Sequence, residues 1–86
     1  MLVYIPSPLR SYTKNADKIN TEGATLDEVL RQLDKSYPGM RFRIINEQDR
    51  VRKHIKIFVN EELTEDIYVP VQVNDRIHII CALSGG

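Results

Sequence analysis

The chain has 86 residues, in which twelve Lys plus Arg balance twelve Asp plus Glu, so its net field offers nucleic acid or an anionic membrane no general attraction. A domain of this length buries roughly 60% of the surface its unfolded form exposes, which leaves one modest core and little room for a deep cleft. The single cysteine, Cys81, excludes an intrachain disulfide, and no signal-like or membrane-length apolar run occurs, so the cytoplasm is the expected compartment.

There is no internal repeat and no Pro/Gly/Ser-rich linker, which predicts one domain over residues 1–82 and a flexible tail over 83–86. Leu2-Val3-Tyr4-Ile5 is β-branched and aromatic and is closed by Pro6 and Pro8, as expected of a short first strand that leaves into a loop. A second strand is placed near Ala16 to Asn20 by hairpin return. Thr25 followed by Glu28 has capping-box spacing, and Leu26, Val29, Leu30 and Leu33 then recur at helical intervals. Pro38-Gly39 stops that helix after Tyr37. Met40 to Lys53 is mixed, with a turn of helix around Phe42 to Ile45 and then a charged loop.

Strand periodicity returns at His54 to Val59, where Ile55, Ile57 and Val59 share one face and His54, Lys56 and Phe58 the other. Glu61 to Asp66 reads as an acidic loop. In Ile67 to Val73 the apolar residues alternate, yet Pro70 lacks an amide donor and predicts an edge or irregular segment. Asn74-Asp75 makes a turn into a final strand, Arg76 to Ala82. Two strands, a helix and two or three more strands specify an α+β domain with one main helix on one face of a four- to five-stranded mixed sheet. Ile77, Ile79 and Cys81 then join Ile55, Ile57 and Val59 toward the helix, while Phe58, Ile80, His78, Lys56 and Tyr4 face outward.

Conventional site chemistry is sparse. Cys81 lies on the inward phase of an apolar strand with no adjacent base, which fits core packing better than a reactive thiol. His54 and His78 lack further ligands at zinc-site spacing, so no metal is expected. Glu61, Glu62, Glu65 and Asp66 cluster in a polar stretch without a pocket, where solvation explains them better than acid/base catalysis. The basic set Arg41, Arg43, Arg50, Arg52 and Lys53 is interrupted by Glu47 and Asp49, which with neutral overall charge argues against nucleic acid and leaves an acidic patch on a protein partner open.

The strand pair, the capped helix, the Val73-Asn74-Asp75-Arg76-Ile77 turn and the terminal Gly85-Gly86 together resemble the β-grasp sulfur-carrier proteins of the MoaD/ThiS type. The resemblance covers essentially the whole chain and is most specific at the Asp75 turn and the tail. It implies that the first and last strands run parallel in mid-sheet, and that the reactive group is the carboxylate of Gly86. A carboxylate is ionised at neutral pH and is a poor electrophile until its oxygen becomes a leaving group. The resemblance therefore implies a partner, a ubiquitin-activating-like adenylating enzyme that spends ATP on Gly86. A sulfur donor protein would convert the acyl-adenylate to a thiocarboxylate, and a sulfur-acceptor synthase would receive the sulfur. The chain itself is expected to be a co-substrate, not an enzyme, and to bind no cofactor.

Glycine at both final positions lets a chain thread a narrow channel, and Leu83 to Gly86 fully extended spans roughly 13 Å. Phe58, Ile80 and His78 on the open face, with Leu83 and Ser84, are the expected partner contacts. Two other classes stay open: a ubiquitin-like modifier joined to lysines through Gly86, and a plain β-grasp interaction domain whose tail is incidental.

Overall fold

Thr25 is the N-cap of the chain's main helix. Its Oγ1 accepts a hydrogen bond from the Glu28 amide at 3.2 Å and donates to Glu28 Oε2 at 3.4 Å, closing the first turn of α1 (Leu26–Ser36). Leu26, Val29, Leu30 and Leu33 are buried along one stripe, and each such side chain contributes about 1.5–3 kcal/mol relative to exposure. The remaining first-turn donors are met from outside the helix: the Leu26 and Asp27 amides donate to Val69 and Ile67 carbonyls at 3.0 and 2.7 Å. This explains why residues 67–71, barred by Pro70 from forming a regular strand, are ordered as an irregular segment with Ile67 and Val71 buried.

The computed structural model describes residues 1–82. Its strands are β1 (Leu2–Tyr4), β2 (Lys18–Asn20), β3 (Ile55–Val59), β4 (Glu62–Thr64) and β5 (Arg76–Cys81), joined in the order β2-β1-β5-β3-β4. β1 and β5 are parallel, with Val3 opposite Ile77, and β5 is antiparallel to β3, with Ile57 opposite Ile79. Val3, Ile5, Ile55, Ile57, Ile77 and Ile79 meet α1 in one core, completed by Met40, Ile44 and Ile45 from α2 (Met40–Ile44) and its C-cap. The α+β class, the helix-on-sheet packing and the parallel central pair are as the sequence and the resemblance led us to expect.

Two segments differ. Glu61 to Asp66 is not simply a loop, because Glu62–Thr64 pairs with β3 as an edge strand. Asn60 at φ 58° and Glu61 form the two-residue turn between paired Val59 and Glu62. Likewise Ser7–Thr13 is a 3-10 helix that buries Leu9 and Thr13, not an open loop.

Candidate functional site

Alternation along β5 decides which side chains can be read by another protein. Ile77 and Ile79 are buried beneath α1, whereas His78 and Ile80 face the opposite side. Sheet register then sets His78 in a row with Tyr4 of β1 on one flank and Phe58 of β3 on the other, and β4 extends the row to Leu63. The Tyr4 and His78 rings stack with centroids 4.4 Å apart and planes 5° from parallel. The row is a continuous aromatic and aliphatic band, and cross-strand pairs of this kind stabilise a sheet as well as shaping its surface. Ile80 lies one row nearer the strand's end, opposite Lys56, and is 45% exposed.

The expected partner contacts Phe58, His78 and Ile80 are thus brought to one face. Phe58 is half-buried between His78 and Leu63, and it sits three residues along β3 from the Ile55–Cys81 pair that marks the end of β5. Leu63, 52% exposed, was missed because it stood in an acidic stretch; the Asn60-Glu61 turn was the signal that a paired strand follows. Leu83, Ser84, Gly85 and Gly86 lie outside the described residues.

β5 is held differently at its two ends. At its start the Asp75 carboxylate accepts hydrogen bonds from Asn60 Nδ2 at 3.0 Å and the Gln72 amide at 2.8 Å, and Asn60 Oδ1 accepts from the Arg76 amide at 3.0 Å. The hydrogen bond from Asn60, then that from Gln72, lowers the Asp75 pKa. At its finish the Ala82 amide donates to the His54 carbonyl at 2.7 Å. Cys81 is half-buried against the core, and burial pushes its thiol pKa up, consistent with a packing role.

Between the two helices stands an ion-pair network the sequence did not reveal. Asp27 on α1, 7% exposed, accepts from Arg31 Nε at 2.8 Å and Arg41 Nη2 at 2.7 Å, and Arg41 also lies 3.5 Å from Asp49. Burial pushes the Asp27 pKa up, but the hydrogen bonds and charges of Arg31 and Arg41 outweigh it and the net shift is downward. The network ties α2 to α1.

With this geometry in view, comparison with known proteins is direct. The ThiS family model matches residues 3–86. The sulfur carrier protein CysO of Mycobacterium tuberculosis is 26% identical over 89 residues, spanning 98% of this chain and 96% of that protein. A chain in the crystal structure of the Amycolatopsis orientalis BexX/CysO complex superposes with a TM-score of 0.91 at 26% identity, over 99% of this chain and 98% of that one. SAMP1 from Haloferax volcanii shares the fold, with a TM-score of 0.79 at 19% identity over 100% of this chain and 98% of its own. A family match across nearly the whole length, on a β-grasp sheet whose central strands are the first and the last, makes the chain a member of the ThiS family.

Proposed function

We propose that this chain is a sulfur carrier whose reactive group is the Gly86 carboxylate. The observation that carries the reading is the reach of the family match, which runs through Gly85 and Gly86. Further support comes from β5, a central strand clamped on both sides and ending one residue before Ala82.

In the proposed chemistry a Gly86 carboxylate oxygen attacks the α-phosphorus of ATP in a ubiquitin-activating-like partner, and pyrophosphate leaves. A hydrosulfide equivalent from a sulfur donor protein then attacks the acyl carbon, AMP departs, and a thiocarboxylate remains for a sulfur-acceptor synthase. The folded part supplies no catalytic group. It acts as a handle, with Phe58, His78 and Ile80 as its apolar contact face, and Leu83 and Ser84 continue the contact into the partner.

The test is incubation of the purified chain with the host's adenylating enzyme, ATP and sulfide, followed by intact-mass analysis. The reading predicts ATP-dependent replacement of one oxygen by sulfur at the C-terminus. An unchanged mass, with the enzyme active on a known carrier, overturns it.

A further inference from the structure

The chain is neutral as a whole, but its charges are segregated. Residues 40–56 carry Arg41, Arg43, Arg50, Arg52, Lys53 and Lys56 against Glu47 and Asp49, whereas residues 57–75 carry Glu61, Glu62, Glu65, Asp66 and Asp75 and no Lys or Arg. The sheet sets part of this contrast along the strand axis, with two exceptions: Arg76 stands with Glu61 and Glu62 at the acidic end, and Glu65 stands with Arg50 and Arg52 at the basic end. β3 begins at Ile55 opposite Cys81, so the basic segment before it lies where β5 finishes. β3 ends beside the start of β5, where the Asn60 amide donates to the Arg76 carbonyl at 2.7 Å, so the Glu61–Glu62 turn and Asp75 lie at the opposite end.

Within the basic end the cations are not equivalent. Arg41 is neutralised by Asp27 and Asp49. Arg43 and Arg52 have no carboxylate within ion-pair distance among the described residues, yet both are held in place by neutral groups. Arg43 Nε donates to the Tyr12 hydroxyl and its guanidinium lies 5.4 Å from the Tyr12 ring centroid. Arg52 Nε donates to the Phe42 carbonyl at 2.7 Å and its guanidinium sits 4.5 Å from the Phe42 ring centroid. A guanidinium positioned in this way has already lost side-chain freedom and still presents a fork suited to a carboxylate. Arg43 also lines one groove with Tyr12, His54, Cys81 and Ala82, which places it directly beside the end of β5.

We infer that this basic end, centred on Arg43 and Arg52, docks on an acidic protein surface that flanks the site receiving the chain end. The inference rests on the proposed activation of Gly86 by a partner and adds how that partner is recognised. Charge complementarity favours this occupant: an acidic mouth attracts the end of the molecule from which residues 83–86 continue and repels the Glu61–Glu62 end, so the encounter is oriented as well as accelerated. A long polyanion such as RNA would meet the acidic end as well.

The test is ATP–pyrophosphate exchange by the host's ubiquitin-activating-like adenylating enzyme as a function of carrier concentration, at low and at physiological salt. It compares the wild-type chain, Arg43→Glu/Arg52→Glu, the milder Arg43→Gln/Arg52→Gln, and Glu61→Lys/Glu62→Lys at the opposite end. Thermal melts confirm folding, and the Gln pair decides the matter if charge reversal unfolds the chain. Charge reversal is expected to raise KM on the order of tenfold at low salt with kcat held, and to flatten the salt dependence, as for charges at an interface rim. The Glu61→Lys/Glu62→Lys chain, which loses only the repulsion at the far end, is expected to keep kcat and to change KM far less than the Arg variants do.

Wild-type KM and salt dependence in the folded Arg variants, with the wild-type chain active, would overturn this inference and leave the activation of Gly86 standing. Arg-dependent binding of a single-stranded RNA with KM unchanged would overturn it in favour of a nucleic-acid surface. A wild-type chain inert in exchange overturns both this inference and the reading beneath it.

Discussion

At Arg76, β5 begins inside a ring of side-chain hydrogen bonds from Asn60 and Asp75; at Ala82 it finishes on a main-chain hydrogen bond to His54, among arginines held by Tyr12 and Phe42. The first end fixes register, and in the proposed chemistry the second leads into the reacting chain end. A slip of one residue would turn Ile77 and Ile79 outward and drive His78 and Ile80 into the core. On the proposed reading stability and function belong to opposite ends of one strand, and variants at each should separate them.

The largest expected effect is at the delivering end. A chain lacking Gly86 should lose ATP-dependent activation completely while its thermal midpoint stays at the wild-type value, because the core is built from residues up to Ile79, with Cys81 packed against it; retained activation of the truncated chain would remove the tail from the chemistry. In mid-strand, Ile79→Ala should cost about 2–5 kcal/mol, read by urea unfolding, since Ile79 is 1% exposed between the sheet and α1. That is a large share of the roughly 5–15 kcal/mol typical of a domain, and it should impair both ends together.

Smaller effects sharpen the contrast. Asp27→Ala leaves Arg41 without its shorter carboxylate contact and should cost about 1–3 kcal/mol; most of that belongs to Arg41, since Arg31 is 58% exposed and surface pairs contribute little. With α2 loosened, the KM for activation should rise as well, and a melt that falls with KM unchanged would show that α2 plays no part in docking.

At the start of β5 the effect is smallest and depends on pH. The Asp75 pKa is lowered from its ordinary value of 3.8, chiefly by the Asn60 hydrogen bond. Its stabilising contribution is therefore fully present above the unfolded pKa and is lost as pH falls through the lower folded value. Asn60→Ala should lower the thermal midpoint at neutral pH and weaken its dependence on acid, with activation kinetics unchanged. Identical acid profiles for the two chains would show that the Asn60–Asp75 contact contributes nothing.

Much of this was legible in the residues themselves. α1 was announced by Thr25, Glu28 and the recurrence of Leu26, Val29, Leu30 and Leu33, and β3 and β5 by an alternation that buries Ile55, Ile57, Ile77 and Ile79, with Val59 and Cys81, expected inward, only partly buried against the core. β4 was not legible because Leu63 is its only apolar residue and its pairing is supplied by β3. The 3-10 helix buries too few side chains, Leu9 and Thr13, to leave a periodic signature. The Asp27–Arg41 contact joins positions fourteen residues apart that meet only once α2 folds on α1. The same holds for Arg43 and Tyr12, thirty-one residues apart, so the basic end reads in sequence as an interrupted charge run. Gly85 and Gly86 were conspicuous in the sequence, and their reactivity is a matter for chemistry on the intact chain.

Intact mass of the protein purified from its native host tests the central claim most directly. Sulfur carriage predicts a population in which one C-terminal oxygen is replaced by sulfur and which reverts to the plain carboxylate on hydrolysis. A homogeneous unmodified chain, or a ladder of higher-mass conjugates linked through Gly86 to lysines, would contradict it.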